Sequence, residues 1–489
     1  MTTRRRFLQV GGALAATGSV ACSDIPPELA KWIETPEGPA PTPDFDDVDL
    51  VSHVISRLSF GARPRDYARV RAGHADMSLA VERYVTEQLA AETIADQDIA
   101  RRLARFAELH GSAADLYEYK EKVLLADLTS AALLRARYSE RQLQEVMTDF
   151  WSDHLNIDSS KGDCRWLKAA DDRDVIRAHA LGSFPALLRA SATSPAMLWY
   201  LDGRMNRRAS PGERPNENYA RELLELHTLG VHGGYTQADV MEVARALSGW
   251  SVRSRHEVVF GLGKVEFLPE LHDDGEKHIL GQSLPPGGGA RDLDAVIELT
   301  ARHPATARHI ATKLCRRFID DDPPVAALGR VAETFVATRG SIRSSLHTLF
   351  QTPEFLNARR TKLKRPFHFV VSALRATGAR TDGGPALHEF LQRMGHAPYQ
   401  FPTPDGYADD QASWLGTLLW RWNFAAALSG DRIAGTRIPH EELLRVVGGR
   451  EKLPVHLLGR RPTSQEDQAV RLATDQLAVW LASPAFQRY

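Results

Sequence analysis

The chain is poor in cysteine, and its three, Cys22, Cys164 and Cys315, lie far apart. That excludes a dense disulfide framework and any CxxC-type zinc or iron–sulfur centre. An excess of one charge is also missing: 61 Lys and Arg stand against 62 Asp and Glu, a formal net charge of −1. Such a balance makes no global case for nucleic acid or an acidic membrane surface. No stretch is apolar for the ~20 residues that a membrane-spanning helix needs. Standard catalytic signatures are absent as well: no HExxH, no GxSxG elbow, no P-loop and no GxGxxG ahead of a helix. Zincin proteases, elbow-type serine hydrolases and nucleotide-dependent enzymes lose weight accordingly. Any metal site has to be assembled from residues distant in sequence.

What the N-terminus does have is an address. Thr3-Arg4-Arg5-Arg6-Phe7-Leu8-Gln9 has the twin-arginine form, and Val10–Val20 is a short Gly- and Ala-rich apolar segment. Residues 1–21 read as a signal peptide for the twin-arginine translocase, so the expected location is the periplasm or cell envelope. Ser19-Val20-Ala21 precede Cys22, which leaves two readings: ordinary cleavage, or a lipid on Cys22 as the sole membrane attachment. Residues 22–48, with six prolines between Ser23 and Asp47, read as a linker.

From Val51 the apolar period is helical. Leu79–Leu89, Ile99–Leu109, Leu116–Tyr138 and Glu140–Leu155 carry apolar residues at three- and four-residue spacing. Ser194-Pro195 and His303-Pro304 place proline at a first helical position, and Thr236 with Asp239 suggests a capping box. Strand signals are few; Glu257–Phe267 alternates around Gly261 and Gly263 and reads as a small hairpin. The expectation is a mainly α protein, with a helical domain over 49–430 and a helical tail over 431–489. LFQTPEF (Leu349–Phe355) and WLASPAF (Trp480–Phe486) echo each other, which suits a reused helix stop.

The densest chemistry lies in PNENYARELLELHTLG, Pro215–Gly230. At roughly 100° per residue, Glu217, Asn218, Arg221, Glu222 and Glu225 share one face, and His227 falls on the apolar side. A solvated surface laced with i,i+4 pairs is the plain reading. Against it, Asn216 and Asn218 suit a helix start or ligand contacts. Glu222 and Glu225 stand i,i+3 apart, close enough to share a cation or divide into acid and base. Other clusters can join them in space: His154 with Asp158, should that helix run so far, and the loop His272-Asp273-Asp274-Gly275-Glu276-Lys277. Trp250, Trp414, Trp420 and Trp422 are available for stacking on sugar rings.

PNENYARELLELHTLG followed by GGYTQADVMEVARALSGW (Gly233–Trp250) resembles the signature of the bacterial domain of unknown function 1800 family. Ser52–Pro64, Phe150–Leu155, Ser194–Asp202, His272–Gln282, His303–Ile319 and Thr403–Tyr407 agree with it. The resemblance implies no established activity. It does imply frequent neighbourhood with a second exported family of unknown function, domain 1501.

Two functions compete on these residues. One is an exported enzyme, hydrolase-like or metal-dependent, acting on an envelope or extracellular polymer. Its catalytic groups would be Glu222, Glu225, His154, His272 and Asp273, its substrate contacts Asn216, Glu217, Asn218, Arg221, Trp250 and Lys277, and its cofactor, if any, a divalent metal ion. The other is a non-catalytic helical scaffold, or partner protein, in an envelope assembly. Neither reading involves nucleic acid.

Overall fold

The structure, a computed structural model, describes residues 38–208, 210, 212–253 and 261–489. The signal peptide, Cys22, most of the linker and residues 257–260 of the expected hairpin lie outside them. Residues Ala40–Tyr489 form one compact unit. Within it the chain is mainly α, with three two-stranded antiparallel sheets as the only strand pairs among the described residues. None of these helices is long and apolar enough to cross a membrane.

The local signals act as their chemistry dictates. The Thr236 hydroxyl accepts from the Asp239 amide, and the Asp239 carboxylate accepts from the Thr236 amide, closing a capping box ahead of helix Gln237–Ala246. Pro195 and Pro304 open helices Pro195–Tyr200 and Pro304–Phe318. The two echoing segments are the same device. Thr352 Oγ1 donates to Leu349 O and accepts from Phe355 N, and Ser483 Oγ does the same with Trp480 O and Phe486 N.

Boundaries moved where packing overrode periodicity. Ile99–Leu109 divides into helix Gln97–Leu103 and the 3-10 turn Ala107–His110, and the long helix begins at Glu121 rather than Leu116. Val265–Phe267 is a strand, but it pairs with the upstream strand Trp250–Val252. A single apolar cluster runs from Val51 through Trp151, Leu224 and Phe369 to Leu443, Trp480 and Phe486, so residues 431–489 share the core of the rest. The end of the linker is docked as well: Ala40 N donates to Val446 O, and Asp44 pairs with Arg461 at 2.8 Å.

Candidate functional site

The acidic helix is only half a regular helix. Asn218–Glu222 is α-helical and Leu223–His227 widens into a π-turn, so the 100° wheel holds no further than Glu222. π-turns interrupt α-helices at a cost and are frequent at functional sites. Here the widened turn is held from outside by two imidazoles. His154 Nε2 meets the carbonyl of His227 and His309 Nε2 that of Leu226, both at 3.1 Å. These are carbonyls that a helix end leaves without intrahelical partners. Gly230 is required beside them: its φ is +83°, and a Cβ there would lie 2.9 Å from His309 Nδ1.

The expected substrate contacts of this helix are largely used internally. Asn216 Oδ1 accepts from Asn218 N at 2.9 Å, and Asn218 Nδ2 donates to Leu201 O at 3.1 Å. Glu217 pairs with Arg221 at 2.8 Å, and both also bond Gln237. Glu222 and Glu225 remain half-buried, with the Tyr235 hydroxyl 3.4 Å from Glu225. Burial, then the charges of Glu225 and of Asp405 opposite, raise the Glu222 carboxyl above its usual range. A carboxyl so placed can hold a proton for delivery.

His154 and Asp158 do not share a helix face, because helix Gln142–His154 stops at His154. Asp158 instead accepts from the Ser160 amide and hydroxyl, as short polar side chains do in turns. His154 is buried, with its ring centroid 6.3 Å from that of His227 and 6.0 Å from that of His309. His227 is wholly buried, and neither ring nitrogen has a hydrogen-bond partner among the described residues. Burial first, then the nearby Lys313 ammonium, push its imidazole down to about 3, so it is neutral.

His272, Asp273 and Lys277 build a separate network. His272 lies between Ser248 O at 2.9 Å and the Asp292 carboxylate at 3.2 Å, and Lys277 Nζ binds that carboxylate at 2.6 Å. Asp273 takes Arg245 at 2.9 Å and also Arg208. Burial pushes its carboxyl up, but Arg245, the Gly275 amide and Arg208 outweigh that and hold it well below the usual range. Among the described residues, no hydrogen bond, ion pair or ring contact joins this network to Glu222, Glu225 or His154. Its carboxylates are already matched by guanidinium and ammonium groups, which leaves no negative charge for a divalent ion. Among the described residues, no group of three or more His, Cys, Asp or Glu side chains is placed to hold a metal. Trp250 packs at 5.3 Å on Phe267, beside this network.

The site that tertiary structure builds lies elsewhere on His154. Helices Gln142–His154 and Pro304–Phe318 and the loop 401–417 enclose a cleft of about 940 Å³. Of the expected catalytic and binding residues, His154 alone lines it. Its floor is a buried charge network. Arg365 binds Asp149 at 2.5 Å and also Asp153, and Arg317 reaches Asp149 at 3.3 Å. Burial pushes the Asp153 carboxyl up to about 6 even beside Arg365. Among the described residues Lys313 faces the cleft with no carboxylate within 4 Å, and burial pushes its ammonium down to about 8 against the pull of Asp153, Asp409 and Asp405. Trp414 closes one side, stacked on His396 at 5.1 Å, while Trp422 is 47% exposed away from it. Gly406 brings the loop in: its φ is +73°, and a Cβ there would meet Asp153 O at 2.2 Å.

Sequence reading missed Asp153, Lys313, Arg317, Arg365, Asp405 and Asp409. One signal was available. Arg317 sits seven residues after Ile310 and three after Leu314, on the apolar face of its helix, where a charge must find a partner. Asp149 and Asp153, i,i+4 apart, are that kind of partner.

Fold and site together define a mainly α protein with a charge-lined cleft of about 940 Å³ beside a π-turn. The chain belongs to the family described as Protein of unknown function (DUF1800), whose profile matches residues 53–488. No curated protein and no solved structure showed similarity to it.

Proposed function

We propose that the chain is an exported, hydrolase-like enzyme that acts on an envelope or extracellular polymer held in the cleft. The observation that carries this reading is the cleft itself, about 940 Å³, lined by Asp405, whose charge is felt by the half-buried Glu222 just outside that lining. Glu222 serves as the acid that protonates a leaving group. Asp405, exposed on the loop, serves as the base that activates water. Glu225 keeps the Glu222 proton in place through its own charge, and His154 and His309 fix the π-turn that carries Glu225 and follows Glu222 directly. Because Asp273 and Asp292 of the His272 network are matched by Arg and Lys, acid–base chemistry fits these residues better than a divalent metal does. Export rests on Arg4 and Arg5 of the twin-arginine pattern.

Release of reducing ends from a panel of polysaccharides tests the chemistry. Glu222→Gln and Asp405→Asn are each expected to lower kcat at least about 100-fold, the usual scale for an acid or base, with the melting temperature unchanged. Full activity in both variants ends this mechanism. Arg4→Lys with Arg5→Lys should hold the chain in the cytoplasm; normal export of that variant removes the location.

A specific observation favours a second reading, a non-catalytic scaffold or partner of the domain 1501 family. Asn218, Glu217, Arg221, Asp273 and Lys277 are all engaged within the chain, as in a lock between helices. On that reading the Glu222 and Asp405 variants change partner capture and no turnover is found.

A further inference from the structure

The cleft is lined by many charges, and most cancel. Arg317 and Arg365 are matched by Asp149 and Asp153, Arg393 by Glu389, and Asp321 and Asp409 by Lys362. Asp410 caps the Ser413 amide. Two cations are left over. Neither Lys313 nor Arg316 has a carboxylate within 4 Å among the described residues; Arg316 Nε donates to the carbonyl of Asp321, and Lys313 has no hydrogen bond. They stand i,i+3 on helix Pro304–Phe318, so both side chains leave the same face and enter the same cleft. A half-buried ammonium with neither partner nor full hydration is costly, and an incoming anion relieves that cost. Asp405 and Asp410 across the cleft repel a densely charged chain such as a nucleic acid. They tolerate a polymer with an isolated anionic group.

We propose that Lys313 and Arg316 form a subsite for one oxyanion group, a carboxylate or phosphate ester, on an otherwise uncharged polymer substrate. This rests on the enzyme reading for its setting, but it is a binding claim and stands or falls separately. A uronate gives one source of the group and a phosphorylated sugar the other.

The test is calorimetric binding of three probes to the full chain: a neutral oligosaccharide bearing a single uronic acid, a wholly neutral oligosaccharide of the same length, and inorganic phosphate. Expected are binding of the uronate oligomer, competition by phosphate, and at least tenfold weaker binding in Lys313→Met and Arg316→Met. Lys313→Arg should restore most of it, which separates charge from fold. Weakening by salt should follow, as for any exposed ion contact. If phosphate binds and the uronate does not, the group is a phosphate ester and the subsite stands. Equal affinity for the neutral oligomer, binding unchanged in both Met variants, or no anionic probe binding overturns it. Turnover by the wild-type chain distinguishes the two claims. Probe binding retained with no turnover in wild type sinks the hydrolase mechanism and leaves the anion subsite intact.

Discussion

Acid should unfold this protein well above the carboxylate range, because its histidines are buried without charge. Burial, aided by neighbouring cations, pushes His53 and His227 down to about 3 and His309 to about 4. It holds His154, His368 and His396 well below their ordinary value. In the unfolded chain the same imidazoles take a proton below pH ~6.5. The stability they provide is therefore complete above that pH and is lost as pH falls towards the folded values. Between pH 7 and pH 5 each such side chain removes ~2 kcal/mol, whatever its folded value so long as that lies well under 5. Asp153 works the other way: raised to about 6 in the fold, it gains its proton first, which returns roughly 1 kcal/mol at pH 5. His53, His227 and His309 together thus remove on the order of 6 kcal/mol, with His154, His368 and His396 acting in the same direction, a sum comparable with the whole stability of an ordinary domain. Near-ultraviolet circular dichroism followed against pH should show cooperative loss of tertiary signal near pH 5. His227→Phe should move that midpoint to lower pH. At pH 7 the same change should raise stability by about 1 kcal/mol, because two buried nitrogens without partners disappear. A tertiary signal that persists unchanged to pH 4 refutes the reasoning. Destabilisation by His227→Phe at pH 7 would mean that its nitrogens have partners after all.

The charge network under the cleft and the cysteines supply two further tests. Arg365→Met leaves Asp149 and Asp153 without their shared cation and should cost about 3–5 kcal/mol in denaturant unfolding; a loss below about 1 kcal/mol would show that water already screens the site. Cys164 and Cys315 are free and buried, and burial pushes the Cys315 thiol up to about 12. With Cys22 replaced by Ser, a thiol reagent should label the native protein slowly and the denatured protein fast. Rapid labelling in the native state contradicts their burial.

The bridge between Cys164 and Cys315 that an oxidising compartment allows is not formed. The helical class, the capping box at Thr236 and Asp239 and the paired helix stops at Thr352 and Ser483 were legible because each depends on neighbours within a few residues. The polar helix was found for the same reason. Its geometry was not, since a π-turn at Leu223–His227 is stabilised by His154 and His309 from other helices. The loop His272–Lys277 looked like a ligand set, and its locking partners Asp292, Arg245 and Arg208 lie up to 65 positions away.

By itself the sequence determined that this is a mainly α member of its family, with local order set by periodicity and caps. Only the tertiary structure decided which charges remain without partners. Pairing of Arg365 with Asp149 and Asp153, across 216 and 212 positions, consumes some charges and leaves Lys313 and Arg316 facing a cleft. Charge is written in each residue, but its neutralisation depends on distances that only folding sets.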